Sequence, residues 1–267
     1  MKRSSVIAKT VISFLAGFVI KPSYAVEHDL PLNKTDEGLA YVAAHNPNAS
    51  TRVIFIHGSP GSHSAYSSYL TDPRLLKGNE LFAVDRLGYG ASESRLVTSI
   101  ESQAKAILPL LSHDKANVIV GHSLGGPIAL SLALQSPDLV SGLVLVAPAF
   151  EPSLEEPKWY NIIADSWLVS WALSKDWATS NGEMMPLSQE LERLSKQDWN
   201  ELDSMPVTLI HGVEDTIADP RNSTYARQKL MGREKRLIEV EEQGHFILWQ
   251  DAPFVSEEIL KLINKLN

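Results

Sequence analysis

Three residues that lie far apart in the chain have the side-chain types that acyl transfer needs: Ser123, Asp215 and His245. Ser123 stands in Asn117–Pro127, written NVIVGHSLGGP, where a strand-like run meets Gly121 and a serine follows two positions later. Taken alone, the stretch is a turn. A tight strand-to-helix turn also strains the backbone of its central residue and needs small neighbours, which Gly121 and Gly125 supply. Such a serine stands at a helix N-terminus, whose unpaired N–H groups favour developing negative charge. Pro127 suits the first helical turn, where a missing N–H costs little. Gly121-His-Ser-Leu-Gly125 thus fits the G-x-S-x-G pattern in a strand-then-helix context, which predicts that Ser123 is a nucleophile.

A serine hydroxyl needs a base, and the base needs an acid to fix its tautomer. Of the eight histidines, His245 in EEQGHF follows the last predicted strand and is the expected base. His57 and His211 fall at strand-to-loop junctions. His122 flanks the serine and is expected to point away from it, and His28, His45, His63 and His113 fall in surface segments. The stretch HGVEDTIADP (211–220) offers Glu214, Asp215 and Asp219. Asp215 is preferred as the acid just past a strand end. Asp219 before Pro220 reads as a helix N-cap, Glu214 as solvated, and Glu151 as an outside candidate. The tetrahedral intermediate needs an oxyanion hole. HGSPGS (57–62) follows a strand, so the backbone N–H groups of Ser59 and Leu124 are the expected donors; the Ser59 hydroxyl is a possible third, and Pro60 has no N–H to give.

The elements that must position these residues alternate. Strands are predicted at 52–57, 81–85, 117–121, 141–148, 207–212 and 235–242, with helices at 99–112, 124–136, 220–231 and 252–266. Short apolar strands separated by helices imply an α/β fold, a mostly parallel, doubly wound sheet covered on both faces. Active sites in such sheets lie beyond the carboxyl ends of the strands, where Ser123, Asp215, His245 and the HGSPGS loop fall. Residues from about 151 to 205 break the rhythm and read as a small helical cap inserted between two strands. They hold Trp159, Trp167, Trp171, Trp177 and Trp199, five of the six tryptophans, at least one of which is expected to line a binding cavity.

The chain has 267 residues, enough for one large domain. Residues 1–25 combine a basic start (Lys2, Arg3), an apolar run from Val11 to Ile20, and small Ser23 and Ala25. This layout predicts a signal peptide cut after Ala25, with residues 26–267 as a periplasmic or secreted domain that keeps no stable membrane span; an uncleaved N-terminal anchor is the alternative. The formal charge of −8 speaks against nucleic acid and anionic membrane as partners. The absence of cysteine excludes disulfides, a thiol nucleophile and thiolate metal sites. No H-E-x-x-H pair and no Gly-rich nucleotide loop occur, so neither a metal nor a cofactor is expected.

HGSPGS, DRLGYGAS (85–92), GHSLGG (121–126), HGVEDTIADP and QGHF (243–246) together resemble the motifs of the α/β-hydrolase superfamily, in the family's order, over roughly residues 50–267. The resemblance implies a mostly parallel sheet, a Ser–Asp–His triad and no cofactor. It also implies that Asp85 and Arg86 brace the site rather than react. A serine at the turn separates the chain from the haloalkane dehalogenase and epoxide hydrolase branches, which place aspartate there. The expected activity is hydrolysis of small to medium apolar carboxylic esters. Lactone, amide or peptide, thioester and carbon–carbon hydrolysis, acyl transfer and cofactor-free perhydrolysis are open to the same triad. A ligand-binding protein without turnover is the alternative from another class.

Overall fold

A computed structural model describes residues 30–93, 95–165 and 173–266. The expected signal peptide, Trp167 and Trp171 lie outside the described residues.

Eight strands form one sheet in the order β1-β2-β4-β3-β5-β6-β7-β8. They are β1 (Leu32–Lys34), β2 (Ala40–Ala44), β3 (Thr51–Ile56), β4 (Asn79–Asp85), β5 (Ala116–His122), β6 (Val140–Val146), β7 (Val207–Gly212) and β8 (Lys235–Val240). β2 pairs antiparallel with β1 and with β4, and every other pairing is parallel. The mostly parallel, doubly wound reading therefore holds. Its two omissions are β1 and β2. LNK is three residues long and AYVAA is rich in alanine, a weak strand former; pairing with β4 makes the second a strand.

Period-two alternation sends neighbouring residues to opposite faces. Ile54 and Ile56 enter one apolar cluster, Val53 and Phe55 the other. The first cluster is covered by α1 (Ile100–Ile107) and α2 (Gly125–Gln135), the second by the C-terminal α7 (Ala252–Leu266). The helix expected over 99–112 stops early. Leu108–Leu110 tightens into a 3₁₀ turn around Pro109, whose ring cannot continue the α-helical bonding.

The chain leaves β3 toward β4 on one side and leaves β5 toward β6 on the other. The carboxyl ends of β3 and β5 thus form the sheet's topological switch point, the usual place for a binding crevice. Ile56 lies opposite Gly121, so the 57–62 loop and the turn holding Ser123 leave the sheet side by side.

Between β6 and β7 run α3 (Trp159–Asp165), α4 (Lys175–Met184) and α5 (Leu187–Ser195), then a 3₁₀ turn at Trp199–Leu202. Leu187, Leu191, Leu194, Trp199 and Leu202 belong to the first core cluster. Trp199 packs edge-on to Phe150 and is a core residue, not a cavity wall. Helix α6 (Arg221–Lys229) follows β7.

Candidate active site

The turn after β5 is built as tightly as its composition demands. Ser123 has φ 53°, the left-handed region that non-glycine residues rarely adopt. Its N–H donates to Val146 O of β6 at 3.0 Å, and its carbonyl accepts from Gly126 N at 2.9 Å. A Cβ on Gly121 would lie 2.3 Å from Gly125 O, and one on Gly125 would lie 2.2 Å from Ile56 O. Both obstacles are backbone. Gly125→Ala is therefore expected to destabilise the fold by about 1–3 kcal/mol, by the cost of overpacking, read as a lower urea midpoint at unchanged m-value. An unchanged midpoint would show that β3 and the turn are not in contact.

His245 follows β8. Its Nδ1–H donates to Asp215 Oδ2 at 2.7 Å, and both residues are buried. With the proton held on Nδ1, Nε2 is left with its lone pair. Asp215 lies just past β7, as expected. Its Oδ1 accepts the N–H groups of Ile217 and Ala218 at 2.8 and 2.9 Å. Burial raises the carboxyl's affinity for a proton, but hydrogen bonds from His211 and His245 outweigh it and hold the group well below the usual carboxylate range. Asp219 instead pairs with Arg221 at the surface, at 2.7 Å, and Glu214 is exposed.

A second histidine on Asp215 did not emerge from the sequence. His211 Nε2 lies 3.1 Å from Asp215 Oδ2 and 3.0 Å from Ala218 O, while its Nδ1 accepts from Ser223 Oγ at 2.7 Å. Its four-residue spacing from the acid in HGVED was the available signal. His122 turns beneath His245, donating Nε2–H to the His245 carbonyl at 3.1 Å. Burial, with the neighbouring His245, pushes the His122 ring down to about 3, so it stays neutral.

The 57–62 loop closes the other side. A Cβ on Gly58 would fall 2.9 Å from Ser123 Cβ, so the loop backbone abuts the serine. The Ser59 hydroxyl, considered above as a third oxyanion donor, is otherwise engaged. It lies 2.7 Å from Glu183 Oε2, 2.9 Å from the Tyr89 hydroxyl and 3.0 Å from Ser180 Oγ. Asp85 and Arg86 brace this region. Asp85 accepts His63 N and Nδ1 on Oδ1, at 2.7 and 2.8 Å, and Ala91 N on Oδ2 at 2.8 Å. Arg86, fully buried, donates to the carbonyls of His57 and Gly58, both at 2.9 Å. Beside the loop opens a cleft of about 410 Å³ whose walls include Pro60, Gly61, Asp176 and Trp177. Trp177, 49% exposed, stands on that wall.

Glu155, in the segment after β6, faces Asp215 and Asp219 and accepts from Asn222 Nδ2 at 2.8 Å. Burial pushes its carboxyl from 4.5 up to about 7, against the pull of Asn222 and Lys158. An acid whose pKa is raised by folding costs stability as pH climbs from its unfolded to its folded value. The loss therefore runs from about pH 4.5 to about pH 7 and persists above. Glu155→Gln is expected to be more stable than wild type at pH 8 by roughly 2 kcal/mol, discounting the full shift for residual exposure, and nearly equal to it at pH 4. Urea titrations at the two pH values check this; an equal difference at both would sink it.

The family model described as the alpha/beta hydrolase fold matches residues 51–171. This stretch runs from β3 through the Ser123 turn into the insertion, over the parallel part of the sheet. The chain is an α/β-hydrolase-fold protein. Similar in sequence are 2-hydroxymuconate semialdehyde hydrolase of Pseudomonas sp. (strain CF600), 33% identical over 45% of this chain and 46% of that one, and pimeloyl-[acyl-carrier protein] methyl ester esterase of Neisseria meningitidis, 28% identical over 79% and 74%. The chain spans less than half the length of several curated relatives that it matches. Among solved structures, the Paleococcus ferrophilus monoacylglycerol lipase superposes with TM-score 0.67 at 22% identity, covering 85% of this chain and 98% of that one. At such identity the likeness shows the shared fold. Among the described residues of this α/β-hydrolase fold, no helix is long and apolar enough to cross a membrane.

Proposed function

We propose that the protein is a serine hydrolase that cleaves carboxylic esters of small to medium apolar substrates through an acyl-enzyme. The observation that carries this reading is the 2.7 Å bond from His245 Nδ1–H to Asp215, beyond the same sheet edge where Ser123 is held at φ 53°. Nε2 of His245 takes the proton of Ser123 Oγ as Oγ bonds to the ester carbonyl carbon. The carbonyl oxygen becomes an oxyanion held by the N–H groups of Ser59 and Leu124. The carbon–alkoxide bond then breaks, and the alcohol leaves with the proton from His245. A water gives its proton to His245 and adds to the acyl carbon; collapse returns that proton to Ser123 and frees the carboxylic acid.

Two further features support the ester reading. The longest of the sequence matches described above is to a methyl ester esterase, which supports an ester as the bond cleaved, and Trp177 and Pro60 offer apolar surface beside the 57–62 loop. The decisive experiment is labelling with a fluorophosphonate, followed by peptide mapping and a series of p-nitrophenyl esters from acetate to octanoate. Label on Ser123 with turnover of the shorter esters supports the reading. Label elsewhere, or none beside an active serine esterase control, rejects it. The basic, apolar and small-residue pattern of residues 1–25 supports an exported enzyme; a periplasmic or secreted product whose mass begins at Val26 is the expected result.

A further inference from the structure

We propose that Glu183, on α4 of the insertion, is a positioning residue for the oxyanion hole. The inference rests on the serine-hydrolase reading above, for which Ser59 N–H is a donor.

A backbone donor is aimed by the peptide unit to which it belongs. The N–H of Ser59 shares its plane with the carbonyl of Gly58, and in a trans peptide the two point in opposite directions. The Gly58 carbonyl is held twice, by Arg86 Nη2 at 2.9 Å and by His57 Nδ1 at 2.7 Å. Whatever fixes Arg86 therefore fixes the direction of the Ser59 N–H. Arg86 is fixed by Glu183, with Nη1 to Oε1 at 2.6 Å and Nη2 to Oε2 at 3.1 Å. The same Oε2 accepts from the Ser59 hydroxyl and from the Tyr89 hydroxyl, each at 2.7 Å.

One carboxylate thus holds Ser59 by its own side chain and, through Arg86, by the peptide before it. Glu183 is 2% exposed and Arg86 not at all, so water does not compete for these bonds. Helix periodicity places Ser180 and Glu183 on one face of α4, and Ser180 also reaches Ser59. The insertion enters the reaction through this contact.

Glu183→Gln keeps the shape and removes the charge. An amide nitrogen in place of Oε1 would oppose Arg86 Nη1 donor to donor. Two readouts are taken. In pulsed amide exchange, the segment His57–Ser62 is expected to exchange about 10-fold faster in the variant, with strand segments 118–121 and 143–146 unchanged. Phosphonylation of Ser123 by the fluorophosphonate, which forms an Oγ–P bond and expels fluoride, and kcat for an ester are expected to fall about 10- to 100-fold with KM within about threefold, as for a weakened oxyanion donor. Tyr89→Phe, a milder cut in the same network, is expected to move both readouts the same way by a smaller factor, and it stands in if the glutamine variant does not fold. Unchanged exchange in 57–62 overturns the proposal, as does faster exchange in all segments together, which marks general loosening. A wild-type protein that takes no label overturns the hydrolase reading; the exchange arm still decides whether Glu183 holds the loop.

Discussion

Ser123→Ala is expected to lower kcat/KM for a p-nitrophenyl ester by about 10⁴-fold or more, the scale on which loss of a triad nucleophile acts. The hydroxyl is the one atom removed, and no hydrogen bond that shapes the turn passes through it. Those bonds use the backbone N–H and carbonyl of Ser123. Alanine at φ 53° carries the same backbone strain as serine, so the urea midpoint is expected to stay within about 0.5 kcal/mol of wild type. The pairing of lost turnover with retained stability is the specific expectation. Retained turnover would move the chemistry to another residue. Equal loss of both would make Ser123 a structural residue.

Asp215→Asn is the second large effect, expected at about 10³- to 10⁴-fold in kcat/KM. Its cause can be read atom by atom. Oδ1 takes two backbone N–H groups, from Ile217 and Ala218, so the asparagine carbonyl oxygen is drawn to that side. Its NH₂ then faces Nδ1 of His245 and Nε2 of His211. Donation from that NH₂ to Nδ1 places the His245 proton on Nε2, the nitrogen that accepts from Ser123 in the proposed reaction. The His211 N–H meets a donor where it had an acceptor, adding roughly 1–3 kcal/mol of instability. Kinetics with a urea titration measure both losses. Wild-type turnover in this variant would separate Asp215 from the reaction.

The sheet was largely legible because its strands are runs of Val, Ile and Leu bounded by polar turns. VTLIHG became β7 with the same ends, and APFVSEEILKLINKL became α7. Asp215 was separable from Asp219 because proline after Asp219 marks a helix start, whereas a strand end precedes Asp215. Glu183 was not legible. A glutamate in the last turn of a helix reads as a solvated side chain, and its partner Arg86 lies 97 residues away. Pairings over such distances are decided by the assembled fold and leave no local periodicity. The same holds for Trp199: a cluster of tryptophans signals apolar surface, but not whether that surface meets a ligand or the core.

The division within the insertion sets where it can be exchanged. Residues 187–202 are part of the frame, because α5 and Trp199 fill the same core as α1 and α2. The transplantable piece is therefore the stretch up to Met184, with its seam at Pro186 just before α5. A graft from another protein of this fold cut at about 205 would carry away core leucines and leave a hole in the body. A graft ending at the seam must still bring a carboxylate to the place of Glu183, or the donor segment will change the specificity of a site it no longer holds in register.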